Sequence, residues 1–260
     1  MITLSQLMQT LERYYPRALA EPWDSVGVIS GDWSRTIQRI LIAVDIDDDI
    51  VLEAQRLNCQ AIVSHHPLFL PRHSVIREPY KLRTAARASS AGIALVNAHT
   101  NADSARPGVT DVLCEALGIG ETDALVPTSA DTVTGIGRIG RLSRPMKLSA
   151  FAEFVSQSIG DSHAKFAGDP QQLIETIAVC GGAGDSLLEF VRSTEADVFI
   201  TSDLRHHPVA EHFAAGGCAV IDIDHGIAES LWLKSLQVIL EQDLAIEVVI
   251  SQKQPSVWSL

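Results

Sequence analysis

The sequence predicts an α/β protein built as two related α/β halves with mainly parallel sheets, facing each other across a cleft. Three observations carry this expectation. Short, apolar, β-branched runs alternate with stretches of helical periodicity along most of the chain, the pattern of strand–helix–strand units. Two local texts nearly repeat: Ala61-Ile-Val-Ser-His-His-Pro67 is echoed by Val198-Phe-Ile-Thr-Ser-Asp-Leu-Arg-His-His-Pro208, and Gly92-Ile-Ala-Leu-Val-Asn-Ala-His99 by Gly217-Cys-Ala-Val-Ile-Asp-Ile-Asp-His225. Histidines and carboxylates follow three of the predicted strands directly, and open α/β sheets bind their ligands at strand carboxyl ends.

The elements follow in order. Leu4, Leu7, Met8 and Leu11 recur at helical spacing, with Ser5 as the expected cap, so the chain opens on an amphipathic helix. Arg39 to Asp45 reads as a buried strand, Asp49 to Leu57 as helix, Ala61 to Ser64 as strand, Lys81 to Ala91 as helix and Ile93 to Asn97 as strand. The polar, turn-rich stretch Gly118 to Asp131 reads as the join, giving expected halves 1–125 and 126–260. Beyond it, Thr132 to Leu142 reads as an extended, hairpin-like segment. Thr176 to Cys180, Val198 to Thr201 and Cys218 to Asp222 are strands, with helix over Ser186 to Ser193 and Ala210 to Ala215. A helix over Leu231 to Leu240 and a strand over Ile246 to Ile250 end the chain, and the sequence leaves open which half they join.

Composition narrows the function. The 260 residues are 46% hydrophobic and 20% charged, so the chain can fold, and its net charge of −12 argues against broad binding of nucleic acid. The four cysteines form no CxxC pair, which fits reduced thiols and not a disulfide framework or thiolate zinc site. Glu12 and Arg13 interrupt the N-terminus before any apolar run long enough for a signal peptide, and no segment has the roughly 18 apolar residues of a membrane span. A cytoplasmic protein with no membrane partner is expected.

The strongest signal is the placement of the histidines. His65 and His66 follow the strand Ala61 to Ser64, His99 and Asp103 follow Ile93 to Asn97, and His225 follows Cys218 to Asp222 with Glu229 four residues on. Pro67 biases His66 toward extended backbone, so the two rings can splay apart. The i, i+4 spacing of His225 and Glu229 puts both on one face at a helix start. Imidazole and carboxylate without thiolate suit Zn, Mn, Fe or Ni. This ligand set exceeds a single catalytic zinc site and matches a dinuclear centre of two divalent metal ions, which makes the expected cleft metal-binding. His73, His163 and His212 are read as structural.

These residues resemble the Nif-three-like family, also known as GTP cyclohydrolase 1 type 2 homologues and dinuclear-metal-centre hexamers. The resemblance runs from Glu21-Pro-Trp-Asp-Ser-Val-Gly27 through Ser64-His-His-Pro-Leu-Phe69, His99-Thr-Asn-Ala-Asp103 and Thr134-Gly-Ile-Gly-Arg-Ile-Gly140. It continues through Thr201-Ser-Asp203 with His207 to His225-Gly-Ile-Ala-Glu229. It implies metal ligands at His65, His66, Asp103, His225 and Glu229, with His99 behind them. It departs from the family pattern at Ser25, Ser202, Asp224 and Gly226. The implied activity is that of a metal-dependent hydrolase, opening GTP at the imidazole C8 with formate release by a metal-activated hydroxide, with Asp203 or His207 moving protons. The implied partners are an anionic, phosphate-bearing small molecule and further copies of the chain in a homohexameric ring. The alternative is a non-enzymatic metal-binding, metallochaperone or regulatory ring protein.

Other motifs are set aside on context. Gly135-Ile-Gly-Arg-Ile-Gly140 matches GxGxxG but is not followed by a helix start, so it reads as a glycine-bearing strand and no cofactor-binding loop is expected there. Gly181-Gly-Ala-Gly184 follows a strand and reads as a tight turn, with a phosphate cradle as the competing reading. There is no GxxxxGK[ST] and no GxSxG. Trp23 and Asp24 are expected near the rim of the site.

Overall fold

A computed structural model describes residues 1–70, 79–128 and 133–258; the reading of His73 and part of the expected join lie outside them. The chain forms two compact units. Unit 1 comprises Met1–Ala105 and Trp232–Pro255, and unit 2 comprises Arg106–Leu231 and Ser256–Leu260.

Unit 1 opens with β1 (Ile2–Thr3) and α1 (Leu4–Tyr14). Thr3, not Ser5, caps α1: its hydroxyl accepts from Gln6 N while Gln6 Oε1 accepts from Thr3 N, satisfying two donors that the helix start leaves open. Next come β2 (Gly27–Ser30), β3 (Thr36–Ile37), β4 (Arg39–Ala43), α2 (Asp48–Arg56) and β5 (Ala61–Ser64). α3 (Pro79–Ser90), β6 (Ala94–Asn97) and α4 (Thr100–Ser104) complete the N-terminal part. Leu41, Ile62 and Leu95 from the central strands pack on Ile50, Val51 and Ala54 of α2.

Unit 2 contains α5 (Val109–Ala116), β7 (Ile119–Pro127), β8 (Gly135–Lys147), α6 (Leu148–Ile159), β9 (Lys165–Ala167) and β10 (Leu173–Ala183). After a 3-10 turn at Asp185–Leu187 come α7 (Leu188–Val191), β11 (Val198–Ser202), α8 (His206–Ala214) and β12 (Ala219–Ile223). Its core joins Phe151 and Val155 of α6 to Ile177, Ile200 and Ile221 of the sheet. The long α9 (His225–Leu244) starts in unit 2, and its residues from Trp232 belong to unit 1. β13 (Glu247–Ile250) then pairs in parallel with β4, which settles the half it joins.

The unit 1 sheet has the order β13-β4-β5-β6-β2, parallel throughout except at β2. The unit 2 sheet, β7-β8-β10-β11-β12-β9, is mixed: β10, β11 and β12 are parallel, but β7/β8, β8/β10 and β12/β9 are antiparallel. The expectation of mainly parallel sheets therefore holds for the first unit only. The echo noticed in sequence has a topological counterpart: β4-β5-β6-β2 and β10-β11-β12-β9 share strand order and direction.

The boundary also differs from the expected 125/126. Gly118 to Pro127 is not a linker, because β7 pairs with β8 and buries Ile119, Thr122, Ala124 and Leu125. One residue ties α5 to the same sheet. The fully buried Arg138 on β8 grips Asp111 of α5 through two bonds, Nε to Oδ1 at 2.7 Å and Nη2 to Oδ2 at 2.8 Å. Gly135 to Gly140 lies within β8, as a strand.

Burial pushes the Cys59 thiol in unit 1 up to about 11, and in unit 2 it pushes Cys114 up to about 12 and Cys218 up to about 11. Among the described residues, no helix is long and apolar enough to cross a membrane.

Candidate metal centre

In unit 1 the candidate ligands stand just past the carboxyl ends of two adjacent parallel strands, β5 and β6. After β5, His65 N donates to Ala43 O and His66 N to Val44 O, so backbone pairing beside β4 continues through both histidines. Ser64 Oγ donates to His66 O at 2.7 Å and pins the turn before Pro67. After β6, His99 precedes α4, and Asp103 lies in the first turn of that helix. The side chains of His65, His66 and His99 can each offer an atom within 4.8 Å of the others, a spacing that fits metal ligation. Asp103 Oδ1 lies 3.6 Å from His65 Nε2.

Each ring is held by its other nitrogen. His65 Nδ1 lies 2.9 Å from Ala98 O, His66 Nδ1 2.8 Å from Asp45 Oδ1, and His99 Nδ1 3.0 Å from Asp24 Oδ1. A carbonyl or carboxylate only accepts, so Nδ1 carries the proton, and in the neutral ring the Nε2 lone pair faces outward. Burial pushes the Asp24 carboxyl up, but hydrogen bonds from the His99 ring and from Thr100 outweigh it and hold Asp24 at about 2. His65 is fully buried, its ring edge-on to Trp232 at 5.5 Å, and Trp232 Nε1 donates to Tyr15 Oη at 3.0 Å. Burial pushes that phenol up to about 12, so it is a neutral hydroxyl at working pH.

In unit 2 the arrangement is built on α9. His225 and Glu229 lie one turn apart, with Nε2 and Oε1 separated by 2.9 Å, close enough to share one ion. Asp203, directly after β11, has φ +58°, a left-handed conformation that costs energy outside glycine. That turn sets its Oδ2 2.8 Å from His225 Nδ1, so here too Nδ1 is the held nitrogen. Behind Glu229 lies Gly182 at φ +73°, where a Cβ would stand 2.6 Å from Glu229 Oε1 and 3.5 Å from His225 Nε2. Gly181 and Gly182 belong to an irregular stretch of β10, not to a turn into a helix. They make room for the carboxylate.

The structure thus groups His65, His66, His99 and Asp103 in unit 1, and Asp203, His225 and Glu229 in unit 2. His207 stands in the first turn of α8, exposed, with its ring 5.3 Å from that of His206, and no described contact joins it to His225 or Glu229. His212 is buried between Leu188 O and Cys218 O, the structural role expected of it. Trp23 is half-exposed and edge-on to His99 at 6.0 Å.

Sequence reasoning missed Asp45 and Gly182. Asp45 was readable: it stands two residues past β4, at the same kind of strand end that pointed to His65 and His66. Gly182 was not readable as a neighbour of Glu229, because the two are 47 positions apart in the chain.

Comparison with known proteins identifies the family. The chain is 38% identical over 234 residues to the "GTP cyclohydrolase 1 type 2 homolog" of Streptomyces coelicolor, covering 88% of this chain and 82% of that protein. It is 32% identical over 253 residues to "NIF3-like protein 1" of Drosophila melanogaster, covering 95% and 85%. Its fold matches the crystal structure of a Bacillus cereus protein related to NIF3 with a TM-score of 0.92 at 22% identity, covering 100% of this chain and 99% of that one. The family model Duf34/NIF3 (NGG1p interacting factor 3) matches residues 2–256, and the chain belongs to that family.

Proposed function

We propose that the chain is a dinuclear metal-dependent hydrolase that acts on an anionic, phosphate-bearing small molecule, with GTP as substrate, opened with release of formate. The observation that carries the metal reading is the shared posture of four imidazoles: His65, His66, His99 and His225 each set Nδ1 against an acceptor, which turns Nε2 the other way, and at His225 that Nε2 meets Glu229 Oε1 at 2.9 Å. The donor set fits the ions. The residues that would hold them are His65, His66 and Asp103 in unit 1, with His99 in reach as a further ligand, and His225 and Glu229 in unit 2. Divalent ions bound there would supply a Lewis acid and water acidified toward neutral pH.

The chain's own residues supply the rest. Asp45 and Asp203 keep the His66 and His225 rings in the tautomer that presents Nε2. Asp24 does the same for His99, and as a carboxylate held at about 2 it stays ionised through neutral pH. Support for GTP comes from the names of the relatives, and the assembly that goes with the reading is the homohexameric ring implied by the family resemblance.

The test is turnover of GTP by tag-free protein loaded separately with Zn, Mn, Fe or Ni, with products read by mass spectrometry and Glu229→Ala as control. Formate and a dihydroneopterin triphosphate that depend on Glu229 are expected. Fully loaded protein that gives neither product with any metal overturns the GTP assignment.

A further inference from the structure

Unit 2 holds a cleft of about 550 Å3 that begins at His225 and is also lined by His163, Lys165, Asp222, Asp224 and Trp258. We propose that this cleft is a binding subsite for a planar aromatic ring joined to an anionic group, as in a mononucleotide, with Trp258 as the stacking wall and Lys165 as the anion contact. The proposal rests on the metal reading of His225 for its orientation alone: the reacting end of the ligand lies at His225 and the ring lies against Trp258.

Trp258 comes first. Its indole is 71% exposed and lines the cleft, so a flat apolar face is open to a ligand there. The tail that carries it is anchored and does not trail freely. Ser256 Oγ donates to the Asp224 carboxylate, and Trp258 N donates to Ser256 Oγ at 3.0 Å. Asp224 is itself fixed, since its Oδ1 accepts from Ile227 N and its own N donates to Asp161 Oδ2. A π face is thereby held at the wall of a cleft, which is how single bases are gripped without reading their edges.

Charge is the second argument. The cleft holds three carboxylates, but each already serves protein donors: Asp203 serves His225, Asp222 serves Lys165 at 3.0 Å, and Asp224 serves Ile227 N and Ser256. Lys165, on the edge strand β9, is positioned by Asp222 and keeps further N–H donors for a ligand. His163 adds an imidazole on the same lining. The volume lies within the roughly 300–1,000 Å3 of small-molecule sites.

The experiment is calorimetry of the full chain with three probes: guanosine 5′-monophosphate, guanosine and ribose 5-phosphate. It is run metal-free and zinc-loaded, with metal content measured in each sample. Trp258→Ala is expected to weaken the nucleotide and the nucleoside about tenfold and leave ribose 5-phosphate unchanged. Lys165→Ala is expected to weaken the nucleotide and ribose 5-phosphate about tenfold and leave guanosine unchanged. Both positions are exposed, and thermal melting checks that the variants stay folded. Nucleotide binding indifferent to both substitutions, or no nucleotide binding by protein that carries its metal, overturns the subsite and leaves the metal reading standing. Nucleotide binding that depends on Trp258 in protein that takes up no metal keeps the subsite and removes the metal reading.

Discussion

In unit 1 the imidazoles stand on loops after parallel strands, and their Nδ1 partners are a backbone carbonyl and two aspartates that arrive from other strand ends or loops. In unit 2 a single imidazole and its carboxylate share the first turns of one helix, and a strained aspartate and a glycine hold them from behind. The first arrangement is assembled from tertiary structure, and its precision depends on the packing of β4, β5 and β6. The second takes its spacing from the helix repeat and spends its tertiary structure on orientation. A change in backing should therefore act differently in the two units, and three experiments probe this.

The largest effect is expected from Gly182→Ala. The new Cβ would stand 2.6 Å from Glu229 Oε1, at a backbone φ of +73° that an L side chain resists. Strain of about 1 kcal/mol together with a displaced carboxylate should weaken metal binding by about 100-fold, read by competition with a chromophoric chelator. Gly216→Ala is the matched control, since its φ is +78° but nothing lies within 4 Å of the added atom. Equal loss in both variants would show that backbone strain, not Glu229, is responsible.

Asp24 gives the next effect, and it is a pH effect. Its carboxyl falls from the ordinary 3.8 to about 2 in the folded chain, so it adds stability that is fully present above pH 3.8 and is lost as pH falls through 2. The contribution is about 2 kcal/mol. In urea titrations, wild type should lead Asp24→Asn by that amount at pH 6, and the gap should narrow between pH 4 and pH 2. A gap that is constant over this range would remove the His99–Asp24 pairing as its source.

The smallest effect is expected from Asp45→Asn and Asp203→Asn, measured side by side. Each keeps the shape of the side chain but weakens the acceptor for an imidazole Nδ1, and loss of such partners typically weakens metal binding about tenfold. Both aspartates are more than half exposed, so melting temperatures should stay near wild type. If only one substitution acts, the two units do not contribute equally to holding metal.

Much of this site was legible because its residues are local to strand ends. His65, His66, His99 and His225 each follow a short, β-branched apolar run that reads as a buried strand, and the pairing of His225 with Glu229 follows from helical periodicity. Partnerships that depend on tertiary folding were not legible: Ala98 O for His65, Gly182 for Glu229, and Asp203 as the partner of His225 Nδ1. The same limit explains the fold. The parallel strands announced themselves as apolar runs, whereas β7 alternates polar and apolar residues among turn formers and read as a linker until its pairing with β8 was seen. α6, with Leu148, Phe151, Ala152 and Val155 on one face, carries the periodicity of a helix in its sequence.

The buried thiols make the two units separately observable. With a pKa of about 11 at Cys59 and about 12 at Cys114, roughly one thiol in ten thousand or fewer is ionised at pH 7, and only the thiolate is alkylated at a useful rate. Each cysteine then reacts at the rate at which its surroundings open. Cys59 reports on unit 1 and Cys114 on unit 2, so a pulse of iodoacetamide followed by peptide mass spectrometry times the opening of each. Added metal should slow whichever clock belongs to the unit it holds closed.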